Sequence, residues 1–579
     1  MNAIVVLILS ILGIGIGYGF YAKTIDKSVI QPDPNKTTPA KMYMDGVDFT
    51  PANRNVLFGY QFKSIAALGP ITGPIIAVKW GWLPALAWII LGTFFIGWVQ
   101  DYASAVISMR EEGKTFGALS YTLISPRART LLLIFIYFYL WLIMGAFGTL
   151  VGFSLMTNPS IPLGVILVVL FGLLAGQMTY KWKQDIVLTT VVTVLLSFFG
   201  IWLGAGMPVG DRNLLQAIPD LFARIYGTYG GATSPTWFLE VTQAKFIGSL
   251  LVVIICYFGA VLPIWRWAQP INYVAFWIVL VGIVGGVVGL LIWRPGMGDF
   301  PAFTSWNVEG LGWLWPILFV TIACGAISGW HSLVSSSGTA RQLENETDAL
   351  FVGGGSMFLE MFFATMAFLT ATVAFGSFDG YVAAGSALQV FSKGLAVFMN
   401  QWGLPKSIGE PYGGVFLVLM ALTIMYLVVR FMRVASAEFL GDQVPALKNA
   451  HVGSIVALIL TLVLIWLVPF LQIWVVFGAA NQLMASLALL LITLWLMQKG
   501  KNYQWTIWPF LFMYVTTIAA LVWKAVESFG KLAGADPKVF IANLIIGLVS
   551  AFLVVAALFL GWDAWQAVQR TRATVKAKA

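Results

Sequence analysis

The sequence predicts an all-α protein, a polytopic bundle of transmembrane helices, and three observations carry that reading. Charged residues make up 10% of the 579 positions while apolar types reach 59%, whereas roughly a quarter of a soluble domain is charged. Apolar stretches of about 20 residues, enough to cross a ~30 Å hydrocarbon core, recur from end to end. Basic residues gather in alternate short loops and in the tail around Arg570, Arg572, Lys576 and Lys578. That distribution makes the net charge of +9 a topology signal and gives no binding stripe for nucleic acid.

About fifteen spans meet the length requirement, near 2–22, 63–80, 82–107, 130–157, 160–180, 186–206, 245–264, 270–293, 313–335, 350–378, 412–430, 452–469, 472–497, 505–523 and 539–562. The first has no Lys or Arg before its apolar region and no small-residue cleavage site, so it reads as a retained helix. Segments 115–126 and 384–400 are too short or too polar to cross and read as surface-lying or re-entrant. The expectation is about 15 to 18 transmembrane segments in all. Lys23 to Arg54, Arg110 to Arg129, Lys181, Lys183, Arg266, Arg430, Arg433, Lys499 and Lys501 occupy one set of loops. Asp211, Asp220, Glu240, Asp299, Glu309 and Asp379 occupy the other. Short cytoplasmic loops are the basic ones, which places the N-terminus outside and the C-terminus in the cytoplasm of an inner-membrane protein. Cys256 and Cys324 stand alone in apolar segments and carry no redox or disulfide pattern.

Two spans are chemically odd. The second contains Gly69-Pro70 and Gly73-Pro74 near its middle, and proline in a helix interior costs about 3 kcal/mol, glycine about 1. Both pairs are expected to unwind the helix. The ninth ends in a crowd of Gly325, Gly329, Ser332, Ser335, Ser336, Ser337, Gly338 and Thr339 around His331. Freed backbone in lipid needs partners, and transporters use such breaks at mid-membrane to hold substrate and coupling ion. Close helix packing and a frayed, Ser-capped helix end are the plainer readings. The two spans run in opposite directions, and each is followed by a long span, a short polar segment and three further spans. This pattern suggests an inverted five-helix repeat with a LeuT-like core: 63–206 as the first repeat, 245–293 as an inserted pair, 313–497 as the second. Residues 505–579 then supply extra helices and a basic tail within a single integral membrane domain, 1–579.

Among ionisable residues, Glu360 lies nearest mid-span and is expected to face a polar interior, where it can carry a proton. Asp101, toward the inner end of its span, is a gate or coupling candidate that water or Arg110 would otherwise stabilise. Asn481 and Gln482 need buried partners and serve either as helix-to-helix glue or as lining of the path.

The stretches DGVDFTPANRNVLFGYQFKSIAALGPITGP (Asp45 to Pro74), GWLPALAWIILGTFFIGWVQD, SGWHSLVSSSGTARQL and FGAANQLMASLAL together resemble the carbon starvation protein A (CstA) family over most of the chain. The resemblance implies membership of the amino acid, polyamine and organocation superfamily and cation-coupled uptake of peptides, or of pyruvate, under nutrient limitation. It also implies a departure: family members commonly carry a His pair just before this motif's FxSIAGxGP segment, where this chain has Tyr60-Gln61. Gln cannot titrate, so coupling falls to His331 or Glu360 with a proton, or to another ion such as sodium. No cofactor is implied beyond a coupling cation, a proton or sodium, and whether a metal is bound and the oligomeric state are left open. An embedded enzyme is disfavoured for want of a convergent nucleophile or metal set, and a channel for want of a filter repeat.

Overall fold

The computed structural model describes all residues except 46–48, 210–211, 239, 264–265 and 579. Asp211, expected on the acidic side, and part of the Asp45–Pro74 motif lie outside the described residues. Among those described, thirteen helices are long and apolar enough to cross a membrane. Helices suit this solvent because each satisfies its own backbone, and polar caps start several of them. Asp185 accepts the N–H groups of Val187 and Leu188 ahead of Ile186–Gly204. Asn449 does the same for Ala450–Leu467. Short helices Phe116–Leu123 and Ala387–Asn400 stand where 115–126 and 384–400 were expected to fall short of crossing. Among the described residues, three small antiparallel hairpins in connecting loops, such as Asn307–Val308 with Gly312–Trp313, are additions to the all-helical expectation.

The chain divides into two compact units. One comprises Met1–Val6, Leu140–Pro301 and Met366–Ile473. Its helices approach closely at glycines: a β-carbon at Gly289 would lie 1.9 Å from the Phe398 carbonyl oxygen, and one at Gly248 2.3 Å from that of Gly152. In the same unit Arg430 donates to the carbonyls of Gly259, at 3.0 Å, and Leu262, closing the end of Gln243–Val261.

The other unit comprises Leu7–Tyr139, Ala302–Thr365 and Trp474–Ala579. The expected span 63–80 is here two short helices, α1 (Arg54–Ile65) and α2 (Gly69–Ala77), joined by Ala66, Ala67 and Leu68. The break therefore falls before the Gly-Pro pairs and not at them. A proline ring collides with the carbonyl four residues earlier, which for Pro70 is Ala66, while Pro70 itself sits in the first turn of α2, where no N–H is needed. Pro74 lies inside α2 without breaking it. After α2 comes α3 (Trp82–Arg110), with a π-turn at Thr93–Gly97. The second odd span is helical up to Thr321, unwound over 322–328, and resumes as α4 (Gly329–Ser337). Two further helices complete the surroundings, α5 (Glu346–Val373), with a π-turn at Leu350–Gly354, and α6 (Phe470–Gln498). The most apolar stretch of α6 is wholly enclosed by protein.

Gly289→Ala should lower thermal stability, since Phe398 presents backbone that cannot step aside and overpacking costs about 1–3 kcal/mol. Gly15→Ala, with nothing within 4 Å of the added carbon, is the control. Heat-dependent loss of the monodisperse species in detergent reads both, and equal stability would contradict the packing described.

Candidate functional site

Unwinding 322–328 releases carbonyls in a region where residues such as Ile322, Ala323 and Ser328 have no exposure at all. Side chains from three helices take them up. Gln482 of α6 donates to Phe319 O at 2.9 Å and Ile322 O at 3.1 Å, and Trp474 Nε1 to Thr321 O at 3.3 Å. From α3, Trp88 Nε1 reaches Phe319 O at 3.1 Å and Thr93 Oγ1 reaches Gly325 O at 3.3 Å. On the far side of the break, the Asn481 carbonyl oxygen accepts the Trp330 N–H and the Ser328 hydroxyl, each at 3.1 Å, and the Tyr139 hydroxyl at 2.6 Å. Asn481 and Gln482 thus clamp the two ends of one break.

The first break is closed against the second. Trp330 Nε1 donates to Ser64 O, near the end of α1, at 2.7 Å. A β-carbon at Gly69 would meet Cys324 Sγ at 2.3 Å, and one at Gly73 the Thr321 carbonyl oxygen at 2.5 Å. The glycines of the Gly-Pro pairs are therefore contact points between the interrupted segments. Their expected role in unwinding passes to Ala66, Ala67 and Leu68.

Just below the second break, α4 places His331 between two carboxylates. Its Nδ1 lies 2.9 Å from Asp101 Oδ2 of α3, and its Nε2 lies 3.2 Å from Glu360 Oε2 of α5. All three side chains have no exposure. The contact to Asp101 is a hydrogen bond. The contact to Glu360 has ion-pair distance but not hydrogen-bond alignment, leaving both Glu360 oxygens and Asp101 Oδ1 without hydrogen-bond partners. The plainer of the two readings of Asp101 had it stabilised by water or Arg110. Instead Arg110 is engaged by Glu346 and by the carbonyls of Ile30 and Gln31, at 2.9 and 3.2 Å. The acids of the Arg341–Asp348 loop are likewise paired, Glu344 with Lys41 at 3.5 Å and Asp348 with Arg54 at 3.9 Å. Lys501 donates to Val29 O and Ile30 O at 2.6 and 2.9 Å, and desolvation, with Arg110 beside it, holds its ammonium below the usual lysine value.

The serine crowd divides. Ser335 accepts from Gln61 Nε2 at 2.9 Å, Thr339 donates to Gln61 Oε1, Ser332 accepts from Gln100, and the Ser336 carbonyl accepts from Ser108 Oγ at 2.8 Å. Ser337 turns back to Leu333 O of its own helix, and Gly338 lies under the Tyr60 hydroxyl, which a β-carbon would approach to 2.7 Å. Sequence reading missed Gln100, Ser104, Tyr139 and the buried Lys63, and treated Gln61 only as a group that cannot titrate. Gln100, Asp101, Ser104 and Ser108 carry a usable signal, because their spacing puts all four on one helical face.

The family profile for carbon starvation protein CstA matches residues 2–383 and 377–520. The chain belongs to the CstA family. It is 29% identical to a protein of Escherichia coli K12 named peptide transporter CstA, across 92% of this chain and 82% of the relative. It is 27% identical to the pyruvate/proton symporter BtsT of the same organism, across 90% and 81%. Among solved structures, MhsT in complex with L-phenylalanine aligns over 89% of this chain and 99% of its own, at 12% identity and a TM-score of 0.46. With its membrane-length helices, this CstA-family chain is a multi-pass membrane protein.

Asn481→Leu should destabilise this CstA-family protein by several kcal/mol, since each buried donor left unpaired costs about 1–3 kcal/mol and Trp330, Ser328 and Tyr139 all lose their acceptor. Thermal unfolding in detergent, with limited proteolysis near 322–328, measures it. A variant as stable and as resistant as the parent would show that the clamp is dispensable.

Proposed function

We propose that the chain is a proton-coupled secondary transporter that takes up peptides across the cell inner membrane, with its N-terminus outside and its C-terminus in the cytoplasm. The single observation that carries the coupling is the buried Asp101–His331–Glu360 triad beside two interrupted helices in contact. With both carboxylates ionised and the imidazole protonated, the triad bears one net negative charge in a dry interior, where uncompensated charge is costly. One further proton neutralises it. A set that is charge-balanced only when loaded suits a carrier that must cross between two states. Asp101, hydrogen-bonded to Nδ1, fixes the ring and its tautomer. Nε2, facing Glu360, is the side at which the proton is exchanged.

Peptide uptake is supported by the name of the E. coli relative. Uptake of pyruvate, a compact carboxylate, is the second reading, favoured by the proton coupling in the name of BtsT and by how tightly the two breaks pack, Gly69 on Cys324 and Gly73 on Thr321. Either substrate offers a carboxylate to the half-helix N-termini. Transport rather than catalysis fits the relatives' names. The inverted repeat of 63–206 and 313–497 in a LeuT-like core is part of this reading, supported by the broken helix that opens each half.

The test is uptake of labelled dialanine and labelled pyruvate into proteoliposomes, with proton and sodium gradients imposed separately. Glu360→Gln should cut proton-driven accumulation by about a hundredfold, the scale on which proton-transfer groups act, while exchange of labelled for unlabelled substrate persists. Accumulation driven by sodium alone, or untouched in both Glu360→Gln and Asp101→Asn, would refute the assignment.

A further inference from the structure

We propose that the polar seam between α3 and α4 conducts the coupling proton between the triad and the face of the protein bearing Arg110 and Lys114; the inference rests on the proton-coupled reading above. Over this length the two helices run parallel and in register. Gly97 meets Ala326, where a β-carbon would lie 2.4 Å from the carbonyl oxygen. Asp101 then meets His331, Gln100 meets Ser332, and Ser108 meets the Ser336 carbonyl.

On α3 the contact face carries Gln100, Asp101, Ser104 and Ser108. On α4 it carries His331, Ser332, Ser335 and Ser336. Both spacings hold a single helical face, and none of the eight side chains has any exposure. Polar residues between membrane helices ordinarily serve as glue, with their groups used up against one another. Here they are not used up. Gln100 Oε1, Asp101 Oδ1 and Ser104 Oγ all lack hydrogen-bond partners.

Ser104 holds the middle position. One turn before it are Gln100 and Asp101, and one turn after it is Ser108, whose hydroxyl lies 2.8 Å from both Ser336 O and Lys114 O in the loop beyond α3, either of which can accept its single proton. The seam therefore leads from the triad to the end of α3. A hydroxyl is both donor and acceptor, so it takes a proton on its oxygen and passes its own hydrogen to the next acceptor, recovering by rotation. The proton leaves the triad through Asp101, whose Oδ2 takes the His331 Nδ1 proton and whose Oδ1 has no other hydrogen-bond partner; no charge stays on the serines, and water at the Lys114 end is the final acceptor. The charged groups along the route are Asp101, His331 and Glu360 at one end and Arg110, its partner Glu346, Lys114 and Arg341 at the other, Arg341 being held by the Gly113 carbonyl at 3.0 Å.

The experiment uses the full chain in proteoliposomes with a pH-sensitive dye inside and dialanine or pyruvate outside. Ser104→Ala, which removes the hydroxyl without adding volume, should slow substrate-driven proton influx on the order of tenfold, an added barrier of about 1.4 kcal/mol. Ser104→Thr should restore it, and exchange of labelled for unlabelled substrate without a gradient should match the parent. Unchanged proton influx in Ser104→Ala overturns the proposal. So does a fall in exchange that tracks the fall in influx, which would make Ser104 a substrate or packing residue. A parent protein that neither exchanges nor accumulates either substrate overturns the transport reading along with it.

Discussion

Hydrocarbon offers nothing to a backbone carbonyl that has left its helix, so a broken membrane helix exists only where neighbouring side chains replace the lost bonds. In this protein that constraint selects Gln482, Trp474, Trp88 and Thr93, which take up the carbonyls before and within 322–328, and Asn481, which takes up the N–H after it. A donor and an acceptor on adjacent residues of α6 serve opposite ends of the same break. For that to work α6 must run through the middle of its unit, which is why its apolar stretch has no face left for lipid. The clothing of the break also fixes where α4 begins, and with it the depth and direction of His331.

Depth is what makes the triad unusual. An exposed histidine beside two acids would be screened by water and ions. At zero exposure its contacts act through a medium of low dielectric, where adding or removing one proton changes the interaction between three helices by far more than at a surface. The asymmetry of the two contacts matters as much as their presence. A hydrogen bond to Asp101 holds one nitrogen, while the other faces a carboxylate at a distance that attracts without locking. The ring is thus fixed on one side and only loosely opposed on the other.

Much of the fold was legible because membrane helices are written in length and apolarity, and a lipid solvent leaves little room for other structure. The two odd spans were also legible as interrupted, since Gly-Pro and Gly-Ser runs conflict with a continuous helix. Their breaks were misplaced. Pro70 acts on the carbonyl one turn upstream, and Gly69 and Gly73 serve contacts with Cys324 and Thr321 that only the fold reveals. Asp101, His331 and Glu360 were each visible as intramembrane ionisable groups, but sequence gives depth along a helix and not the neighbour across it. Arg110, the partner within reach of Asp101 along the chain, is taken by Glu346. Gln61 and Gln100 were invisible for a related reason: an amide gains meaning only from what it bridges, here Ser335 and Thr339 in one case and Ser332 in the other.

The same two helices meet in charge at a second level. Asp101 and Arg110 ride on α3, Glu360 and Glu346 on α5, so the pair is linked through His331 and by the Arg110–Glu346 ion pair at the end of α3. Between those contacts α5 carries its π-turn and the run Gly353, Gly354, Gly355, with Gly353 set so close that a β-carbon would lie 3.2 Å from the Asp101 carbonyl oxygen. Glycines weaken a helix, and π-turns are recurrent sites of local adjustment. The least regular part of α5 is therefore bracketed by the His331–Glu360 contact on one side and the Arg110–Glu346 ion pair on the other. A shift at Glu360 has its softest outlet there, within α5 itself, before it reaches Arg110.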